Sequence, residues 1–280
     1  MIQLTSGFNN FNRLNHIRSD HQVDFITKPV VIYLFIDPFD KKSWEIEKFL
    51  KKLFLEYGSF FIIRPIIKIN SDNFKNRYNS KIAFFIKNIG LSIKAAGLQG
   101  NKAGRSFLSV IQEAYFLFDD DFFNEKSLLR YAGLAGLDMQ EFTKDLYSDS
   151  SKRAFNADEK LINDMDISSF PTLVFFSEFD EENIIKLNHP TDYQTYVYIL
   201  NSLLKKDLSP YPKPPIHLFL KQNGLLTVDT ISFVYDYSIE VTNKYLNELK
   251  LKKQVKKICM LNSIYWCYNN EYKNDLDFSV

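Results

Sequence analysis

The chain has 280 residues, of which 45% are hydrophobic and 16% aromatic, enough for one large and one small folded domain. Its 35 lysines and arginines nearly balance 34 aspartates and glutamates. The formal net charge of +1 therefore argues against the one-signed surface of a general binder of nucleic acid or acidic substrates. Two cysteines, Cys259 and Cys267, are too few for a fold held together by disulfides.

Residues 1–27 form a polar segment. Asn, Arg, His and Asp recur throughout it, and no apolar stretch of signal-peptide length interrupts them. The longest unbroken apolar run, Val30–Ile36, is far shorter than the ~20 residues that a membrane helix needs. These features predict a cytoplasmic protein that is not exported and does not bind a membrane, and whose cysteines remain thiols.

A strand, a helix and a second strand follow the polar segment. β-Branched and aromatic residues fill Val30–Ile36, which ends at Asp37-Pro38 and is typical of a central strand. Apolar residues then recur at helical spacing up to Gly58, and Phe60–Arg64 has the composition of another strand. Such a β-α-β unit predicts parallel strands with a right-handed connection.

Residues from about 80 to 167 have helical periodicity and no convincing strand. The pattern predicts a helix over Leu91–Leu98 and a later helix capped by Asn124. A further helix should begin at Asp138, because Glu141 follows it at the spacing of a capping box. The consequence is a helical block inserted between two parts of one small sheet.

Strand character resumes at Thr172–Phe176, directly after Phe170-Pro171, and Tyr193–Leu204 predicts a closing helix. Four prolines then occur within residues 206–215. Because proline interrupts regular helix and favours extended chain, this segment is predicted to be a linker between domains.

Three helices and a hairpin are predicted after the linker. Ile216–Gln222 ends at Asn223-Gly224, and Thr227 is suited to cap the next helix, Val228–Tyr235. The third helix covers Ile239–Lys250, with an apolar face predicted at Val241, Tyr245, Leu246 and Leu249. Two strands, Gln254–Met260 and Ser263–Tyr268, complete an arrangement that describes a winged-helix module.

Three motifs resemble one known family. Asp37-Pro38 precedes Trp44 after the first strand, Lys94–Gly104 reads KAAGLQGNKAG, and Phe170–Phe176 reads FPTLVFF. Together they resemble the SpxH (YjbH) branch of the DsbA-like thioredoxin superfamily over roughly residues 28–204 and into the C-terminal module. The resemblance implies a cytoplasmic adaptor of low-GC Gram-positive bacteria that delivers the transcription regulator Spx, itself an arsenate-reductase-like thioredoxin-fold protein, to the protease ClpXP.

The predicted fold class is therefore α/β, with a DsbA-like thioredoxin domain and a small winged-helix-like α+β domain. The segments are a polar start at 1–27, the thioredoxin domain at 28–205 with its helical insertion at about 80–167, the linker at 206–215, the winged-helix-like domain at 216–270 and a polar tail at 271–280.

The redox tetrad of a thioredoxin lies at the first turn of the helix after the first strand, where two cysteines exchange disulfides. Asp40-Lys41-Lys42-Ser43 occupies this place, so disulfide exchange is excluded. Relatives in the resembled family often keep two cysteines here, and their loss leaves binding by shape intact. Asp40 is interpreted as a helix cap in preference to a catalytic group. A kappa-class glutathione transferase would need its hydroxyl at position 40 instead of at Ser43.

The resemblance also implies a cis bond before Pro171, next to the former redox site, where an extended partner peptide would pair with the free backbone. The alternative is that Phe170-Pro171 only shapes a turn. Partner binding is predicted at these two residues and at the tetrad, Asp40, Lys41, Lys42 and Ser43. Trp44 is interpreted as a core residue, with an exposed binding aromatic as the alternative.

A rival function arises in the C-terminal module, where six lysines lie on or just after the third helix: Lys244, Lys250, Lys252, Lys253, Lys256 and Lys257. That helix enters the major groove in DNA-binding winged helices. However, Glu240 and Glu248 dilute the charge, and no arginine occurs from residue 216 to 280. The lysines are interpreted as a solvated or protein-docking face.

The remaining candidate ligands do not form a metal set. Cys259 and Cys267 flank the hairpin turn and are interpreted as ordinary strand residues, with a redox-sensitive pair as the alternative. His16 and His21 lie in a segment without cysteine, so no zinc is predicted. We expect a non-catalytic adaptor for Spx and ClpXP that has no cofactor, metal, nucleic acid or small-molecule substrate. A thiol enzyme and a DNA-binding protein are the alternatives.

Overall fold

The computed structural model describes residues 2–6, 29–70, 82–117, 125–177, 180–190, 192–260 and 263–269. The chain divides into two compact units. The first contains Met1–Glu47 and Tyr57–Leu208, and the second contains Lys48–Glu56 and Ser209–Val280. Residues 48–56 therefore belong with the C-terminal residues, an assignment that the linear pattern of the sequence did not predict.

The first unit is built on a five-stranded sheet with the order β1-β5-β4-β2-β3. β2 and β3 are parallel, and the other neighbours are antiparallel. Every residue of β2 is buried, which explains its unbroken apolar run. The predicted β-α-β opening and the strand after Pro171 are confirmed. The strands are β1 Ile2–Ser6, β2 Val30–Ile36, β3 Phe61–Ile67, β4 Thr172–Ser177 and β5 Asp180–Asn188.

Two strands were not predicted from the sequence. β1 lies in the segment that was interpreted only as polar, and β5 follows β4 almost directly. β1 pairs with β5, with Ile2 opposite Leu187 and Leu4 opposite Ile185. β1 has only five residues, and β5 begins with four polar residues, so the signal of either strand alone is weak.

Eight helices are described in the part of the chain up to residue 208. Their bounds are α1 Lys41–Glu45, α2 Glu47–Tyr57, α3 Ile82–Leu98, α4 Asn101–Leu117, α5 Glu125–Leu134, α6 Met139–Asp145, α7 Asp149–Asp164 and α8 Tyr193–Leu204. The predicted cap at Asp138 is confirmed, because its carboxylate accepts from the backbone N–H groups of Gln140 and Glu141. The helix predicted over Leu91–Leu98 begins earlier, at Ile82, and Asn124 lies outside the described residues.

Close helix crossings explain two small residues of the insertion. A Cβ added to Gly104 of α4 would lie 3.0 Å from the Cα of Gly97 in α3, so the two backbones meet without side chains between them. A Cβ on Gly90 of α3 would lie 2.2 Å from the ring of Phe155 in α7. A Cβ at Gly104 would need the Gly97 backbone to shift by a few tenths of an ångström, and a Cβ at Gly90 would displace the ring of Phe155.

The outer edge of the sheet, at β3, is closed by a buried ion pair. Pro65 has no N–H to expose, and the N–H of Ile67 donates to Asp158 Oδ2 at 2.7 Å. Lys94 Nζ pairs with the same carboxylate and donates to the Pro65 carbonyl at 3.3 Å. Burial raises the pKa of Asp158, and the charge of Lys94 and the Ile67 N–H oppose that shift. The pair supplies partners that an exposed edge strand lacks.

The second unit has a three-stranded antiparallel sheet with the order β6-β8-β7. Its elements are α9 Ile216–Asn223, β6 Leu226–Thr227, α10 Val228–Tyr235, α11 Ile239–Leu251, β7 Val255–Met260 and β8 Ser263–Tyr268. The three predicted helices and the hairpin are confirmed, as is the cap at Thr227, which accepts from the Thr230 N–H at 3.2 Å. The core includes Phe219, Ile231, Leu246 and Trp266.

The predicted apolar face of α11 was partly wrong. Thr242 and Leu246 are fully buried, whereas Val241 is 42% exposed and Tyr245 is 47% exposed. Thr242 turns inward because its hydroxyl bonds within the core, accepting from the Ser232 hydroxyl at 2.9 Å. A satisfied threonine thus takes a core position that the hydrophobic pattern gave to its neighbours.

Residues 48–56 complete the second unit through aromatic and ionic contacts. The ring of Phe49 meets that of Phe233 edge to face at 4.9 Å, and Leu55 packs on the core cluster. Asp236 accepts hydrogen bonds from the ammonium groups of Lys52 and Lys213. Lys213 also pairs with Glu56 at 2.9 Å, and the carbonyl of Glu56 accepts from the Tyr211 N–H. The ion cluster of Lys52, Glu56, Lys213 and Asp236 thus spans distant parts of the sequence.

Candidate functional site

The predicted tetrad, Asp40–Ser43, lies beyond the carboxyl end of β2. The chain turns there through Asp37 and Pro38 into α1. Phe35 of β2 pairs with Thr172 of β4, so the antiparallel register brings Pro171 alongside the last residue of β2. The sheet therefore brings the predicted tetrad and the predicted cis-proline to the same end of its strands.

Asp37 fixes the turn between β2 and α1. Its side chain is buried, and its two carboxylate oxygens accept from the backbone N–H groups of Phe39 and Asn70, each at 3.0 Å. A carboxylate satisfied by backbone donors is a structural element of the loop. Sequence reasoning noted Asp37-Pro38 only as a motif and did not identify this role.

Asp40 caps α1, as predicted. Its backbone is extended, and its Oδ2 accepts from the Ser43 N–H at 2.9 Å. Lys41 and Lys42 are exposed, with the Lys41 ammonium 3.7 Å from Glu45. A thioredoxin has its reactive thiol at this place. Here two lysines are exposed, and the one carboxylate is hydrogen-bonded to the helix backbone.

Ser43 is buried, and within the described part of the chain its hydroxyl has no hydrogen-bond partner. Nearby, the Gln112 side chain donates to the Pro38 carbonyl at 3.3 Å, and its own carbonyl oxygen has no partner among the described residues. A nucleophilic serine needs a base within hydrogen-bond reach. The arrangement described here gives the Ser43 hydroxyl no base, so it does not support the glutathione transferase alternative.

An aromatic cluster adjoins the tetrad. Trp44 is half-buried, and its indole stacks on Phe116 with centroids 4.6 Å apart and planes 4° from parallel. Tyr115 contacts both Phe39 and Phe116 edge to face, at 4.7 and 4.9 Å. Trp44 is therefore neither a full core residue nor a free surface aromatic. The sequence placed residues 115–116 only on a helix, since contact across elements leaves no local signal.

The Phe170–Pro171 peptide is cis. Pro171 is buried, and its carbonyl accepts from the His189 N–H at 3.0 Å. Phe170 is half-buried and packs on the core cluster of the sheet. Of the six predicted partner-binding residues, Lys41 and Lys42 are the exposed ones, and Ser43 and Pro171 are buried.

The two cysteines are not partners across the hairpin. Cys259 is opposite Ile264, and Cys267 is opposite Lys256, three positions further along the ladder. At ~3.4 Å per residue this offset is about 10 Å, beyond the reach of a disulfide. Burial raises the pKa of the Cys267 thiol, which keeps it protonated. Both are free thiols in the structure.

Within the described ranges, no three or more His, Cys, Asp or Glu side chains are grouped so as to hold a metal ion, and His16 and His21 lie outside those ranges. No helix among the described residues is long and apolar enough to cross a membrane.

Comparison with known proteins agrees with this geometry. Residues 33–198, more than half of the chain, match the protein family described as Thioredoxin. A protein of Bacillus cereus (strain ATCC 10987 / NRS 248) named ClpXP adapter protein SpxH is 35% identical over 268 aligned residues, covering 85% of this chain and 90% of the relative. The chain belongs to the SpxH family. The family member of Bacillus subtilis (strain 168) is 32% identical and covers 88% of this chain and 93% of its own length.

A solved structure extends the likeness of this SpxH family chain to the fold. A protein of Nitrosomonas europaea assigned as a protein disulfide isomerase superposes with a TM-score of 0.50 and covers 64% of this chain and 96% of its own, at 17% identity. A likeness at this identity concerns the fold alone. The predicted α/β class and thioredoxin fold are confirmed.

Proposed function

We propose that this chain is a non-catalytic adaptor of the cytoplasm that binds the transcription regulator Spx and promotes its degradation by ClpXP. Relatives aligned over 85% of the chain are named ClpXP adapter proteins, which supports the proposal. The observation that carries it is the capped tetrad, in which the Asp40 carboxylate is bonded to the backbone of Ser43 at 2.9 Å. No thiol is present there to exchange disulfides.

The mechanism is tethering. An adaptor that holds its cargo beside the unfoldase raises the local cargo concentration without forming a covalent bond. It requires no cofactor, metal, small-molecule substrate, membrane or nucleic acid. The exposed Lys41 and Lys42 are the proposed charged contacts of the tetrad. Asp40, Ser43 and Pro171 shape the surface, and the half-buried Phe170 borders it.

The second unit is proposed to be winged-helix-like and to dock protein. Its order of helix, short strand, two helices and hairpin supports this description. Base readout by such a unit relies mostly on arginine, which is absent from residues 216–280. DNA binding is thus the less favoured use of the unit.

Calorimetry of the full chain with purified Spx tests the proposal, together with degradation of Spx by ClpXP with and without the chain. We expect binding at micromolar concentration and faster degradation. Absence of both would reject the adaptor function. Reduction of insulin or conjugation of glutathione by the chain would favour the thiol-enzyme alternative instead.

A double variant, Asp40→Cys with Ser43→Cys, separates shape from sulfur chemistry. The proposed charged contacts, Lys41 and Lys42, remain in this variant. The affinity for Spx should therefore stay within about threefold of that of the unmodified chain, a smaller change than the 1.4 kcal/mol of a tenfold difference. Variants Lys41→Gln and Lys42→Gln, which remove the exposed charges, should weaken binding more. The reverse order would show that the contact surface lies elsewhere.

A further inference from the structure

Positive charge is concentrated in one short stretch of the second unit. Residues 244–257 contain six lysines and one glutamate, a net charge of +5 in a chain whose formal total is +1. All six lysine side chains are exposed. Charge of one sign at this density attracts an oppositely charged partner from a distance. The lysines are Lys244, Lys250, Lys252, Lys253, Lys256 and Lys257.

Apolar side chains share the surface of α11 with this charge. Val241 is 42% exposed, Tyr245 is 47% exposed and Leu251 is 85% exposed. The ring of Tyr245 stacks on that of Tyr237 with centroids 5.6 Å apart. The core of the unit uses the other side of the helix, through Thr242 and Leu246. These exposed groups therefore lie outside the buried core of the second unit.

Helical spacing brings the charged and apolar groups onto one surface. At 3.6 residues per turn, they fall within an arc of about 120°. We call this arc the α11 face, and its members are Val241, Lys244, Tyr245, Glu248, Leu251 and Lys252. Lys253 follows the C-cap residue Lys252 and has a left-handed backbone, φ 58°. An exposed surface on which apolar side chains alternate with predominantly positive charge is suited to docking a protein.

Two observations limit what the face accepts. Its neighbour β7 is an edge strand that carries Lys256 and Lys257, and lysines on an edge oppose the addition of another strand. Arginine, whose guanidinium suits base edges and phosphates, is absent from residues 216–280, which disfavours nucleic acid as the partner. A helical, carboxylate-bearing protein segment meets both limits.

We propose that the α11 face docks an acidic amphipathic segment of a partner protein. Carboxylates of the segment pair with Lys244, Lys252 and Lys253, and its apolar side chains cover Tyr245 and Leu251. The inference rests on the proposed adaptor function and locates one of the two partner surfaces that tethering requires. Complementary charge selects the partner, and Tyr245 and Leu251 supply the buried contact.

The test uses the full chain and two sets of variants. The triple variant Lys244→Gln, Lys252→Gln, Lys253→Gln removes charge from the face, and Tyr245→Ala removes its aromatic ring. Matched controls remove the same groups elsewhere: Lys126→Gln, Lys160→Gln and Lys206→Gln for the charge, and Tyr198→Ala for the ring. All four control side chains are exposed in the first unit.

Three probes are titrated: purified Spx, purified ClpX, and a synthetic helical peptide with leucine on one side and glutamate on the other. The triple variant should weaken binding of the peptide and of one protein by about tenfold, the sum of a few exposed ion pairs. Tyr245→Ala should weaken it about as much. Added salt should weaken binding by the unmodified chain more than binding by the triple variant, because salt screens the lysine charges that the variant lacks.

Each failure has a distinct signature. If Spx and ClpX bind and neither set of variants changes any affinity beyond its control, the α11 face is not a docking site. If neither Spx nor ClpX binds, the proposed adaptor function is rejected. The peptide titration then still shows whether the α11 face binds an acidic amphipathic segment. A peptide with lysine in place of glutamate that binds equally well overturns the proposal. The proposal is also overturned if the chain binds duplex DNA more tightly than the acidic peptide and the triple variant no longer binds that DNA.

Discussion

Two carboxylates, one in each unit, accept hydrogen bonds from lysine in very different surroundings. The side chain of Asp158 is 7% exposed, and that of its partner Lys94 is 14% exposed. Asp236 accepts from Lys52 and Lys213, yet its own side chain is 60% exposed. The comparison shows that the same residue types stabilise a fold to different degrees, since water replaces a lost partner only where it has access.

The largest expected effect comes from breaking the buried pair. Lys94→Met leaves Asp158 with a backbone donor and no cation. The free energy of unfolding of the first unit should therefore fall by about 3–5 kcal/mol. Urea unfolding followed by Trp44 fluorescence measures it, because Trp44 lies in the first unit. The control is Lys68→Met, which breaks the exposed pair of Lys68 with Glu159 at 3.3 Å and should change stability by about 0–1 kcal/mol. Equal effects would remove the distinction between the two environments.

The second prediction concerns acid and the cluster around Asp236. Burial alone would raise the pKa of Asp236, but hydrogen bonds from Lys213 and Lys52 outweigh it and lower that pKa below the ordinary 3.8. A lowered pKa in the folded state stabilises the fold above pH 3.8 and loses that contribution as the pH falls through the lower value. The second unit should therefore lose stability below about pH 4.

Trp266, in the core of the second unit, reports this transition by its fluorescence. The matched variant Asp236→Asn keeps a side chain that tolerates the left-handed backbone at this position, φ 57°, and removes the charge. Because the side chain of Asp236 is 60% exposed and solvent screens its pairs, the variant should be less stable than the unmodified chain at neutral pH by up to about 1 kcal/mol, and the difference should shrink in acid. A difference that is constant with pH would show that Asp236 does not titrate with folding.

The same contrast explains which parts of the structure could be predicted. Caps such as Asp138 and Thr227 depend on residues three positions away, so the sequence reveals them directly. Strand β2 is buried on both faces and has an unmistakable apolar run. The pairing of Lys94 with Asp158, and of Lys52 with Asp236, joins residues far apart in the chain, and no local pattern marks either one.

The motif Lys94–Gly104 shows how a resemblance identifies residues before their physical roles are known. Lys94 closes the sheet edge, and Gly104 permits the close approach of α3 and α4. The side chain of Gln99 holds the backbone of Asp138 with two hydrogen bonds of 2.9 Å. None of these contacts lies at the tetrad. The motif thus marks the fold of the family, while Tyr115 and Phe116, which adjoin the tetrad, were found only by structure.

A smaller effect is expected at the cap of α1. Asp40→Ala removes the acceptor of the Ser43 N–H and should cost about 1 kcal/mol of stability in the first unit. Asp40→Asn keeps an acceptor, so its free energy of unfolding should remain within a few tenths of a kcal/mol of that of the unmodified chain. Urea unfolding followed by Trp44 fluorescence measures both. Equal losses in the two variants would assign the role of Asp40 to its charge instead of its hydrogen bond.

The smallest predicted change is at Ser43, whose buried hydroxyl has no partner within the described part of the chain. Ser43→Ala removes an unsatisfied polar group, so stability should stay equal or rise by up to about 1 kcal/mol. Ser92→Ala is the matched control, because Ser92 is also buried in a helix but donates to the Ile89 carbonyl at 2.8 Å. Ser92→Ala loses this hydrogen bond and should be the less stable variant by about 1 kcal/mol. If Ser43→Ala is the less stable variant, the Ser43 hydroxyl has a partner such as an ordered water.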